Sequence, residues 1–346
     1  MIDNKDKYAF GMNNAYPIGE VSQCGSSLII VFDIYPQETS MKIAYEHARS
    51  TRNASLLGSF STLALAVIGV FCGSSPAWAA PILGSDLASF TVLGASTVTN
   101  VPTSTIVGNV GVYAGSSITG FNSSPGVAVL DPQVTGGLVH ATTTVAQSAQ
   151  GELTTAITNL GSLGAGSTLV NPDLAGLILA PGVYTVVAGS TNLSGAVTLD
   201  GGGNANAAWV FQMESTLITS PNSVVNVINT GSGAGVYWNV GSSATIDTNT
   251  TFMGNILALT SITMNTTATD LCGRALANTG AVTLDQNKLS GTCMGILAGN
   301  GGLSGGLNVT GTGVTVLPYA PVPEPATLAL VGLALTGLAF TRRRHG

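Results

Sequence analysis

Three short segments place a threonine between two apolar residues at nearly equal intervals: Ala244-Thr245-Ile246, Ile262-Thr263-Met264 and Val282-Thr283-Leu284. Successive side chains of a strand point to opposite faces, so the apolar flankers line an interior and the threonines look outward. A second register runs beside the first, with "GNILAL" at Gly254–Leu259 echoed by "GRALAN" at Gly273–Asn278, 19 residues on. A period near 20 residues has room for three short strands and their turns. Such a unit buries its apolar side only by stacking on its neighbours, which is the signature of a solenoid. The spacing predicts an all-β parallel β-helix of triangular section. The competing architecture is an antiparallel sandwich, which has no need of equal spacing between similar segments.

Composition agrees with an all-β core. Hydrophobic residues make up 45% of the chain and charged residues only 8%, with 45 glycines among 346 residues, so a buried core joined by tight turns is expected. Earlier segments follow the pattern more loosely. "SGAVTLD" at Ser194–Asp200 nearly duplicates "TGAVTLD" at Thr279–Asp285, and "WVFQMESTLIT" at Trp209–Thr219 resembles "VYWNVGSSATI" at Val236–Ile246. One stretch departs from it. Val145, Ala149, Leu153, Ala156 and Leu160 recur at helical spacing, which predicts a helix over 142–160 with Gly161 as its C-cap.

Both ends carry processing signals. Lys42, Arg49 and Arg52 precede an apolar run around Leu56–Cys72 that closes on Ala77-Trp78-Ala79, the pattern of a secretory signal peptide over 41–79. A transmembrane anchor is the alternative reading. Met41 is then the expected initiator, and residues 1–40 an extension upstream of it. At the other end, Pro323-Glu324-Pro325 precedes the apolar run Ala326–Phe340 and the cluster Arg342, Arg343 and Arg344. Residues 318–346 closely resemble the PEP-CTERM sorting tail of Gram-negative bacteria. That resemblance implies an exosortase-type sorting machinery and delivery to the cell envelope or extracellular matrix, with the membrane touched only through the tail before processing. A permanent C-terminal anchor is the alternative.

The region left, 80–317, holds nine acidic side chains against Arg274 and Lys288, a net of −7. It lacks the basic footprint of a nucleic-acid binder. It also holds a single histidine, His140, which reads as a cap or packing residue. The carboxylates are scattered, no zinc spacing or nucleophilic triad is assignable, and neither an enzyme nor a cofactor is expected.

The segments "GNVGVYAGSSITGF", "HATTTVAQSAQGELTTA", "LAPGVYTV", "AAWVFQMESTL" and the run Val236–Asp285 resemble the microbial ice-binding protein family across about 82–290. The resemblance implies a discontinuous right-handed β-solenoid with one long helix alongside, and an ice crystal surface as partner. Two threonine ladders are candidates. One is Thr245, Thr263 and Thr283, with Thr198 as a further member. The other matches the family's T-A/G-x-T/N motif at its outer positions, Thr248 with Thr251 and Thr266 with Thr269. Asn249 and Thr267 depart from its second position, and the next coil offers Asp285-Gln286-Asn287-Lys288 instead. Threonine is also an ordinary exposed strand residue. An envelope or biofilm-matrix adhesive on the same fold is the alternative function.

Cys272 and Cys293 stand 21 residues apart at matching repeat positions. Stacking places such residues about 5 Å apart, within disulfide range. A disulfide is predicted, with two free buried thiols as the alternative.

Overall fold

The computed structural model describes residues 22–24, 27–29, 80–189, 191–310 and 313–322. The signal peptide expected over 41–79 and the sorting tail beyond Val322 lie outside them. In the N-terminal unit, Ser22–Cys24 pairs antiparallel with Ser27–Ile29.

From residue 80 the chain winds through three strand positions per turn. One coil shows the pattern. Gly235–Val240 lies on the first face, Ala244–Ile246 on the second and the start of Thr251–Ala258 on the third. The same strand then bends through a register shift between Phe252 and Gly254 and re-enters the first face. Neighbouring coils pair in parallel, and Gly254 sits opposite Gly273 and Ala258 opposite Ala277, the 19-residue echo of the sequence.

The interior is filled by one column of side chains per inward position. Ala244, Ile262, Val282 and Val98 are buried on the second face. Inside the first face Tyr184, Phe211 and Trp238 stack with centroid separations of 5.8 and 4.1 Å, and Phe252, at the end of the third face, packs tilted against Trp238 at 5.0 Å. Burying that much aromatic area dominates the core's stability.

The coils do not stack in chain order. The strand Val282–Asp285, late in the sequence, pairs with Thr97–Val101, and Thr269–Ala277 pairs with Phe90–Gly94. The stack therefore runs from Ser167–Leu169 up to Lys288–Ser290, continues at Phe90 and ends near Val139–Ala141. Such an order requires a connection back along the whole solenoid, and the helix Thr144–Gly161 supplies it. Eighteen helical residues span about 27 Å, five to six strand spacings of about 4.8 Å.

Ala146, Ala149, Leu153, Ala156 and Leu160 seal the helix onto the outward side chains Leu93, Val210, Tyr237, Leu257 and Leu276 of the first face. The expected face is corrected at one residue, since Val145 is 36% exposed and Ala146 takes the buried place. Gly161 is the last helical residue, and Ser162, not Gly161, is the C-cap.

Cys272 and Cys293 are bonded, with Cα atoms 4.5 Å apart. The link fastens the loop that follows the coil ending at Ser290 to the corner where the third face meets the first.

Candidate functional site

With the helix on the first face, the second face stays open. Its strands are Leu217–Ile218, Ala244–Ile246, Ile262–Met264, Val282–Asp285, Thr97–Val101 and Ser117–Thr119, side by side in that order. Their register aligns Ile218, Thr245, Thr263, Thr283, Thr99 and Thr119 in one outward column. Five of the six are threonines. All six are partly or fully exposed, while their flankers are buried except Gly120, which follows Thr119.

Two residues earlier on each of the five threonine coils stand Ser243, Ser261, Ala281, Thr97 and Ser117, all small. The face thus repeats hydroxyl and methyl groups on a grid of roughly 6.7 Å along a strand and 4.8 Å between strands. β-Branching limits the threonine χ1, so the grid is stiff before anything binds. It carries no basic side chain. Its carboxylates stand at the corner, where Asn265 Nδ2 donates to Asp247 Oδ1 at 2.9 Å and the Thr248 amide does so at 2.7 Å. Those bonds, Asn265's first, hold the Asp247 carboxyl below its usual range.

Thr99 and Thr119 carry no repeat signal that a scan along the chain detects. Val98-Thr99-Asn100 and Ile118-Thr119-Gly120 each lack the second apolar flank. Only the break in coil order brings them to the end of the column. Thr198 does not belong to it; it pairs with Ile178 and Asn226 on the third face.

The second candidate ladder wraps the corner between the second and third faces. Asn222, Asn249, Thr267 and Gln286 adopt left-handed φ of 62, 57, 61 and 54°. Each passes its amide to the next coil, Asn249 N to Thr266 O at 3.1 Å and Thr267 N to Asp285 O at 3.0 Å. This explains the departures from the motif. The second position is a turn residue pointing to solvent, and the third, Thr250, Ala268 and Asn287, is fully buried.

The outer positions are less free than the sequence suggests. The Thr266 hydroxyl donates to Asp285 Oδ2 at 2.5 Å. Thr251 and Thr269 are aligned, but Lys288 follows them before Thr105 restores a threonine.

The described residues contain no group of three or more His, Cys, Asp or Glu that could hold a metal. His140 is buried, with Nδ1 3.1 Å from the Thr143 hydroxyl and its ring edge-on to Phe90. Burial lowers its pKa, so it stays neutral beside the helix cap.

A discontinuous parallel β-solenoid with a return helix on one face and an open hydroxyl-bearing face on another defines the class. The ice-binding-like family model matches residues 92–290, and the chain belongs to that family. An ice-binding protein of a Nostoc species is 41% identical over 284 residues, 82% of this chain and 94% of that protein. One from Flammulina populicola is 30% identical over 64% of this chain and 94% of its own length. Among solved structures, the ice-binding protein of Antarctomyces psychrotrophicus superposes with a TM-score of 0.54 at 32% identity, covering 61% of this chain and 98% of that one. One from an Antarctic biological consortium gives 0.52 at 34% identity, over 61% and 90%. A PEP-CTERM protein-sorting motif matches residues 321–344.

Proposed function

We propose that this chain binds ice crystals outside the cytoplasm through its second face, with Thr245, Thr263, Thr283, Thr99 and Thr119 as the contact column. The observation that carries the reading is the unbroken register of five outward threonines on a face that nothing in the described chain covers. A rigid lattice of methyl and hydroxyl groups holds water in repeating positions and loses little side-chain entropy on contact. The corner ladder, Thr248, Thr251, Thr266 and Thr269, flanks this face as a secondary contact, since Asp285 and Lys288 break its regularity. The relatives named ice-binding proteins support the activity. The PEP-CTERM motif supports processing by an exosortase-type system and retention at the envelope or matrix.

The test images ice in the purified domain, residues 80–322, and measures the gap between melting and freezing. Tyrosine placed singly at Thr263, Thr283 or Thr99 is expected to abolish most of the gap, with a smaller loss from Thr251→Tyr or Thr269→Tyr. Unshaped crystals and no gap in the unaltered domain would instead favour an adhesive matrix protein, to which the sorting motif is equally suited.

A further inference from the structure

The last described residues do not trail from the domain. Leu317 N donates to Gly306 O at 2.8 Å, and Asn206 Nδ2 donates to Pro318 O at 3.1 Å. Ala320 N donates to Asn204 Oδ1 at 3.0 Å, and Ala320 O accepts from Ala205 N at 2.6 Å. Val322 N donates to Gly203 O at 3.0 Å, and the Tyr319 hydroxyl reaches the same carbonyl at 3.3 Å. The glycine-rich stretch Asp200–Asn206 thus serves as the seat of a strap, 317–322. Gly202 and Gly203 have φ of 57 and 81°, a backbone region that glycine enters without cost. The domain boundary expected at 317 therefore falls inside a bound segment.

The seat has a definite place in the triangle. Ala196–Asn204 lies on the third face and Ala208–Met213 on the first, so Asp200–Asn206 rounds the corner between them. In a three-sided coil that corner lies opposite the second face. The sorting motif starts at residue 321, inside the strap, and Pro323-Glu324-Pro325 begins one residue after Val322. Prolines at 318, 321, 323 and 325 restrict the backbone around the last docked residue. No glycine or serine linker separates domain from motif.

We infer that the strap is a mount: it fixes the exit of the sorting tail at the corner opposite the threonine face, so that a chain held in a membrane by its tail turns that face away from the lipid. The placement of the exit is independent of what the threonines bind; only its use, presenting the column to ice outside the cell, rests on the proposed function. A flexible linker would let the solenoid lie on any side, and a mount at the second face would hide the column.

Two measurements test it on the chain from Ala80 to Gly346, without the expected signal peptide, in which the disulfide pair Cys272 and Cys293 are the only cysteines. Hydrogen exchange of the Ala205, Ala320 and Val322 amides is expected to be slowed roughly tenfold or more relative to unstructured chain. For orientation, a fluorophore is placed on Thr263→Cys, in the threonine column, or on Ser232→Cys, exposed on the third-to-first corner one coil along. The protein is inserted into phosphatidylcholine vesicles carrying a headgroup-linked quencher. Quenching at position 232 is expected to exceed that at 263 several-fold. Inserting a flexible Gly/Ser linker of about ten residues after Val322 is expected to shrink the difference. Unprotected strap amides, or equal quenching at the two positions in the chain without the linker, would overturn the mount. Loss of ice shaping would instead refute the threonine reading and leave the quenching contrast intact.

Discussion

Arg274 and Asp270 show how two charged residues are kept inside an apolar solenoid. The Arg274 guanidinium donates from Nη1 to Asn255 Oδ1 at 2.8 Å and from Nη2 to the carbonyls of Ala88, Gly291 and Gly301 at 2.8, 3.2 and 2.9 Å. One side chain thereby joins the entry segment, a middle coil and the loop after Ser290. Burial lowers its pKa to about 10, which leaves it charged at neutral pH. Lysine offers three donors where arginine's fork offers five, so Arg274→Lys orphans buried acceptors at about 1–3 kcal/mol each. Urea unfolding is expected to register a loss of that size or more. Asp270 is fully buried in the column between Phe252 and Leu289, and its Oδ2 makes no hydrogen bond. Burial pushes its pKa well above the usual carboxylate range, against the opposing Cys272 amide and Arg274 charge. A raised folded pKa means that the native state holds a proton the unfolded chain has released, so stability falls as pH rises above the ordinary carboxylate value toward the raised one. Asp270→Asn mimics the protonated form and is expected to flatten that slope. Unfolding midpoints at pH 4 and pH 8 check it; an unchanged slope would mean that Asp270 is ionised in the fold.

The return helix is the element on which the coil order depends. Its start is set by Thr143, whose hydroxyl accepts from the Ala146 amide at 3.2 Å, and its end is held where Gln212 Nε2 donates to Leu160 O at 2.6 Å. Periodicity revealed the helix but misjudged its first turn. Val145 and Ala146 stand three or four residues from Ala149, so both fit a helical stripe. Hydrophobicity favours the valine, whereas close approach to the strands favours the smaller alanine. Leu153 stands at the middle of the sealed stripe and is fully buried. Leu153→Ala is expected to cost about 2–5 kcal/mol, Thr143→Ala about 1 kcal/mol, and Val145→Ser little. The three substitutions compared by thermal or urea unfolding rank the sites, and a Val145 effect as large as that of Leu153 would contradict the observed face.

For the whole molecule, the repeat was legible in the sequence while the order of the repeats was not. Thr245, Thr263 and Thr283 fall in register as their spacing implies, and Trp209–Thr219 lies along Val236–Ile246 with Trp209 opposite Val236. The closest verbal echo misleads. In "SGAVTLD", Ala196–Asp200 lies on the third face, while Val282–Asp285 of "TGAVTLD" lies on the second. Alternation of apolar and small polar residues is shared by all three faces, so a seven-residue match reports strand character and not position around the triangle. The joining of Val282–Asp285 to Thr97–Val101 left no local trace, because it depends on the helix carrying the chain back along the stack. That joint has a consequence for unfolding. Ordinary solenoids fray from their termini, since each repeat touches only its neighbours. Here the N-terminal coil sits in mid-stack, bonded on one side to the C-terminal coil and on the other to Asn109–Val112 and Ser117–Thr119. Opening it breaks the solenoid in two. Native-state hydrogen exchange is therefore expected to give the amides of Val98–Val101 and Val282–Leu284 the global unfolding free energy. The terminal strand Ser167–Leu169, paired on one side only, is expected to exchange through a smaller, local opening. Early exchange at the joint, with Ser167–Leu169 protected longer, would mean that the two blocks of coils unfold separately.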